Sequence, residues 1–300
     1  MQQRTVKVGA ANRRQSSHAK QTQAPSYRLE ILGKHPDPPN LFGVVFNAND
    51  TDTKNAIFHR ALSELEDKKE IALTGIRKML IQHHASPQMW QATQQRRDAI
   101  ARLGLGASLP PLLPLPRIPK NDDTKKCNLA ETLLAEYLIA STNTLLPVYR
   151  LHHNPNYGQS MKGDDVLAFE LNAEPIRIIV GEAKFRAASA NAVVREIVES
   201  LEKSHKLGAP ISLTFVGDHV ADAALAERIY NCAVLFALNK IRLDYVGFLM
   251  SDMNSATRVA AITSTPLQNL AIITLGLETP TALLDECYRN LEDECLSQLT

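Results

Sequence analysis

The stretch "MKGDDVLAFELNAEPIRIIVGEAKFR", Met161 to Arg186, decides how this sequence is read. It holds two short apolar runs, residues 166–171 and 176–185, rich in the β-branched and aromatic residues that strands favour. The connection at residues 172–175 has hairpin length. Side chains two apart on a strand share a face, so Glu182 and Lys184 project together while Ala183 points away from them. Ile176, Ile178, Ile179 and Val180 are apolar on both faces, the pattern of a central strand. In such a hairpin Asp165, opening the first strand, lies beside Glu182, closing the second. Two carboxylates brought together repel, and each raises the other's pKa unless a cation intervenes.

A divalent metal resolves that repulsion. Oxygen ligands with open water positions describe Mg²⁺ or Mn²⁺ rather than zinc. The expected chemistry is phosphodiester hydrolysis: the metal polarises a phosphoryl oxygen and activates water, and Lys184 orients that water or stabilises developing charge. Asp165 is preferred to its neighbour Asp164, because Leu167, Phe169 and Leu171 share its face, whereas Asp164 lies with Val166, Ala168 and Glu170. A helix carboxylate before the hairpin completes the cluster, either Glu131 or Glu136 on opposite flanks of one apolar stripe.

Outward from the hairpin the chain alternates elements. "CNLAETLLAEYLIAST" has a helical stripe of Leu129, Leu133, Leu134 and Tyr137, with Asn128 as the expected N-cap. "NAVVREIVESLEKSHKLG" places Val194, Ile197, Val198 and Leu201 on one stripe and ends at Gly208. "ISLTFVG", "DYVGFLMS" and "LAIITLGL" are expected strands, residues 221–239 a helix, and another helix starts at Pro280. The order implies an α/β (α+β) fold with a mixed central sheet and a βαβ step at residues 176–216. Upstream, residues 27–47 suggest a short strand pair around "HPDPPN", and the periodicity of residues 53–84 suggests helix. Prolines at 110, 111, 114, 116 and 119 exclude helix there. The expected divisions are a flexible basic tail (1–26), a mainly helical N-terminal region (27–103), a Pro-rich linker or strap (104–124) and a catalytic domain (125–300).

Bulk properties narrow the class. The 300 residues are 44% hydrophobic with a formal net charge of +1, enough for a sizeable core and without a global electrostatic signal for nucleic acid. No run reaches the roughly 18 apolar residues of a membrane span and no signal peptide is evident, so a cytoplasmic protein without a membrane partner is expected. Cys127, Cys232, Cys287 and Cys295 lack C-x-x-C spacing and read as reduced core thiols. The adjacent His83 and His84 make a poor metal pair on a helix. Beyond His152 and His153, Tyr157 and Lys162 lie in a polar loop suited to contacts with nucleic acid.

The set Glu131, Asp165, Glu182 and Lys184 resembles the PD-(D/E)xK nuclease superfamily, whose pattern is a helix glutamate, an aspartate opening one strand and E-x-K closing the next. That resemblance covers about residues 125–216 and implies a restriction-endonuclease-like core. More narrowly, "NLAETLLAEYLI", "GDD", "GEAKF", "GFLMSD" and "LAIITLGLE" look like the nuclease-subunit family of Hachiman-type bacterial anti-phage systems. The resemblance implies a DNA substrate and a helicase (ATPase) partner. A non-catalytic DNA-sensing or assembly subunit that holds a helicase, or a DNA-repair nuclease outside immunity, are the alternatives.

Overall fold

The structure, a computed structural model, describes residues 28–53, 57–104, 118–262 and 264–297. In chain order its strands are β1 (Phe46–Asp52), β2 (Phe58–Glu64), β3 (Val166–Glu170), β4 (Ile176–Phe185), β5 (Ile241–Asp252) and β6 (Leu270–Leu277). Helices α1 (Arg28–Leu32), α2 (Leu41–Val45), α3 (Lys69–His84), α4 (Pro87–Arg102) and α5 (Asp122–Ser141) precede the β3–β4 hairpin. After it come α6 (Asn191–Lys206), α7 (Leu213–His219), α8 (Ala223–Ala237), α9 (Ser255–Arg258), α10 (Pro280–Tyr288) and α11 (Leu291–Ser297). The six strands form one mixed sheet, ordered β1-β2-β6-β5-β4-β3. The central four run parallel, and an antiparallel strand closes each edge.

Alternation along β4 sorts the two faces. Ile179, Ala183 and Phe185 join the core built with α3, α5 and α10, while Ile178 and Val180 join the core built with α6 and α7. Glu182 and Lys184 share the parity of Ile178 and Val180, so they point toward α6 at the C-terminal end of the strand. Helices thus cover both sides of the sheet, as buried parallel strands require. Gly181 permits the close seat of α5: a Cβ there would lie 2.9 Å from both Leu134 Cδ2 and Val166 Cβ.

The mixed sheet and flanking helices match the expected α/β class; several local readings do not survive. Residues 28–32 and 41–45 are helical, and the N-terminal strand pair lies further on, as β1 and β2. The helical periodicity seen across residues 53–84 holds only from Lys69; its first part is β2, which pairs in parallel with β6. Distant pairing there outweighs a local pattern. These strands complete the same sheet as the hairpin, and α1, α2 and α3 share a core with α5, so the boundary expected at residue 125 does not divide the sheet. "ISLTFVG" is not a strand: its residues from Leu213 belong to α7, where Gly217 lies under the Tyr230 ring. The crossover from β4 to β5 therefore runs through α6, α7 and α8. Asn121 rather than Asn128 caps α5, accepting from Thr124 N at 2.8 Å. The tail at 1–26 and most of the Pro-rich strap, residues 105–117, lie outside the described residues.

Two buried polar residues stitch β1 and β2 to the rest. Arg60 donates to Asp50 Oδ1 and Oδ2 at 2.6 and 2.7 Å, to the Tyr137 hydroxyl of α5 at 3.1 Å and to Gly33 O at 3.0 Å. His59 joins Thr51 of β1 at 3.3 Å and Thr274 of β6 at 3.0 Å, and burial pushes its pKa down to about 4. An unfolded chain takes up this proton near pH 6.5, whereas the folded one stays neutral until about 4. The contribution of His59 is therefore complete above pH 6.5 and is lost as pH falls toward 4. Between pH 7.5 and 5, His59→Gln should remove about 2 kcal/mol of the acid-induced loss of stability. Urea midpoints of both proteins at the two pH values test this; an equal loss in both contradicts it.

Candidate functional site

The register of the hairpin sets the site. Val166 faces Gly181, so Asp165, one residue earlier, stands opposite Glu182 one residue later. Asp165 Oδ2 accepts a hydrogen bond from Ala183 N at 2.9 Å, which fixes the carboxylate against the end of β4. Glu182 Oε1 accepts from the Lys184 ammonium on the same strand face, and the Ser200 hydroxyl of α6 also bonds this carboxylate. Burial raises the pKa of Asp165 although Arg150 and Lys184 oppose the rise. Burial, followed by the charge of Asp165, raises that of Glu182. Burial is the main cause of both rises, and the nearby charges of Arg150 and Lys184 do not cancel it.

Asp164 and Asp165 are adjacent yet unlike. Asp164 is buried and fully engaged: Oδ1 accepts from Ser204 Oγ of α6 at 2.8 Å and Oδ2 from Ser212 N at 3.0 Å. It clasps the loop before β3 to the helical layer. Gly163 makes the turn, with φ +114°, where a Cβ would meet Ser212 Oγ at 2.7 Å. Asp165 is one-fifth exposed and faces the cluster.

Glu131 joins this neighbourhood from α5 through an arginine that the sequence reading passed over. Arg150 Nε lies 3.2 Å from Glu131 Oε1, and Arg150 Nη2 lies 3.9 Å from Asp165 Oδ1. All three side chains line a cavity of about 20 Å³ whose walls include Leu146, Val148, Leu167 and Phe215. Burial pushes Glu131 up to about 8 despite Arg150, with Asp165 and Glu182 adding to the rise. Glu136 takes no part in the cluster; its Oε1 accepts from His83 Nε2 of α3 at 2.8 Å. Arg150 sits in "LPVYRLHH", where an arginine between apolar Val148 and Leu151 is the one sequence sign that its charge is used inside.

The other singled-out residues lie elsewhere. His83 and His84 are buried, while Tyr157 and Lys162 are exposed in the loop ahead of β3. Cys232, Cys287 and Cys295 are buried free thiols, as expected, but Cys127 is exposed. Among the described residues no helix is long and apolar enough to cross a membrane. Nor do three His, Cys, Asp or Glu side chains among them form a group that could hold a metal ion as they stand. Lys184 holds Glu182, and Arg150 stands between Glu131 and Asp165.

The protein family HamA matches residues 43–291 of this chain. The Hachiman protein HamA of Bacillus cereus is 30% identical over 270 residues, which is 89% of this chain and 96% of that protein.

The raised pKa of Glu131 has a consequence for stability. Above pH 4.5 the unfolded chain gives up this proton while the folded chain keeps it to about 8, so folding loses stability as pH rises between the two values. Glu131→Gln, which keeps an acceptor for Arg150, should lack this component. Wild type should therefore lose more stability than Glu131→Gln between pH 5 and 8.5 in urea melts. Equal slopes would show that Glu131 is ionised throughout.

Proposed function

The chain belongs to the HamA family, and from that premise we propose that it is the metal-dependent DNA nuclease subunit of an anti-phage defence complex of Hachiman type, working with a helicase partner. One observation supports the nuclease reading above the others. Asp165 and Glu182 meet across the hairpin with Lys184 beside them, at the C-terminal end of the parallel strands, where open α/β sheets carry their sites.

The residues fit a hard divalent ion. Asp165 and Glu182 offer carboxylate oxygens, and burial raises the pKa of each, so a bound cation would favour their charged forms. These two would hold Mg²⁺ or Mn²⁺, with Glu131 behind them on Arg150. When bound, the ion supplies polarisation of a phosphoryl oxygen and a water of lowered pKa. The ammonium of Lys184 is partly exposed and free to turn from Glu182 toward an attacking water or a negatively charged phosphoryl oxygen. Ser200 steadies Glu182 from α6, and Ala183 N steadies Asp165 from β4. Tyr157 and Lys162, exposed ahead of β3, are candidates for base and phosphate contacts.

The net charge of +1 supplies no overall electrostatic attraction to DNA, which favours its delivery by the partner. A scaffold role without catalysis has no comparable support, since a scaffold gains nothing from two poorly compensated carboxylates.

Lys184→Ala removes a partly exposed charge and empties no core, so the variant should fold with a melting temperature near that of wild type. With Mg²⁺ or Mn²⁺ and the partner present, its DNA cleavage should fall at least a hundredfold. Cleavage within threefold of wild type would rule out the assigned role of Lys184.

A further inference from the structure

We propose that Arg150 is the positioning residue of this site, holding Asp165 in place for a divalent ion; the inference rests on the nuclease reading given above. Its guanidinium reaches both ends of the loop that delivers Asp165. Nη2 donates to Met161 O at 3.0 Å and Nη1 to Asp164 O, so one side chain closes the turn containing Gly163. From the same planar group, Nε meets Glu131 at 3.2 Å and Nη2 faces Asp165 Oδ1 at 3.9 Å. Asp165 Oδ2 is meanwhile held by Ala183 N. The carboxylate is therefore fixed between a buried cation and the backbone of β4, directly across from Glu182.

The residue type matters here. Both Nη atoms donate to backbone carbonyls of the loop while Nε faces Glu131, a spread of directions that a single ammonium cannot reproduce. The arginine is 9% exposed, too enclosed to touch a DNA strand itself. Its distance of 3.9 Å from Asp165 is longer than a hydrogen bond, so it attracts that carboxylate without saturating it and leaves its oxygens available to a metal. Glu131 acts through Arg150: its Oε1, 3.2 Å from Nε, seats the buried guanidinium from α5. In this assignment the helix glutamate of the nuclease pattern orients the cation that orients the aspartate.

The test is Mn²⁺ affinity of the full chain, measured by calorimetry on wild type, Arg150→Lys and the double variant Arg150→Met with Glu131→Gln. Circular dichroism and thermal melts establish folding. The double variant is included because a lone Arg150→Met leaves the buried polar carboxyl of Glu131 without its partner and threatens the fold. Wild type should bind Mn²⁺, Arg150→Lys should bind at least tenfold more weakly, and the double variant more weakly still, although both are folded. A purely structural arginine would lower melting temperature and leave the affinity of the folded protein unchanged. A folded variant that binds Mn²⁺ within threefold of wild type overturns the positioning role while leaving the nuclease reading intact. Absence of Mn²⁺ binding by wild type overturns that reading, and the positioning role with it.

Discussion

The antiparallel pairing of β3 with β4, in the register that sets Val166 against Gly181, forces Asp165 and Glu182 into opposition. The surrounding structure answers that constraint. Carboxylates taken from water into a half-buried site cost free energy unless donors and cations meet them. Ala183 N, Ser200 and Lys184 meet them from the hairpin and α6, and Arg150 meets Asp165 from the segment that passes the β3 edge. Compensation is incomplete, since both pKa values still rise. A site fully neutralised by its own side chains has little to gain from an external cation.

Scaffolding for this arrangement extends to the ends of the described chain. Gly181 lets α5 lie close to the hairpin, which brings Glu131 within reach of Arg150. Further along the same helix, Tyr137 receives Arg60 of β2, tying the N-terminal strands to α5. On the other face, Asp164 binds Ser204 of α6 and the backbone of Ser212 just before α7. Adjacent aspartates thus divide the labour, one anchoring the loop and one facing the cluster.

The parts of this account legible in the sequence were those written locally. Alternation within Asp164–Phe185 predicted the hairpin, its register and the convergence of Asp165 with Glu182, because a period of two fixes which side chains share a face. Parity set Asp164 with Val166 and Ala168, but Asp164 instead turns to Ser204 and Ser212, and its engagement there separates it from Asp165. What escaped was set by distant partners. β2 carries an apolar spacing compatible with helix, and its pairing with β6, more than 200 residues away, decides its state. Residues 211–217 have strand-like composition, yet from Leu213 they pack as a helix beneath Tyr230. Arg150 was passed over, because its four partners come from α5 and from a loop that only the folded chain brings around it. Glu131 and Glu136 could not be separated by helical phase; their partners, Arg150 and His83, separate them.

The central claim is that Asp165 and Glu182 together form a seat for a hard divalent ion, kept ready by the chain's own cations. Anomalous diffraction from crystals of the protein grown with Mn²⁺ tests it most directly. The account predicts a single strong peak within coordination distance of carboxylate oxygens from both Asp165 and Glu182, with the Lys184 ammonium withdrawn from Glu182 and Arg150 still on Glu131. An ordered site with Lys184 still on Glu182 and no manganese between the two carboxylates, or manganese bound elsewhere, would contradict it.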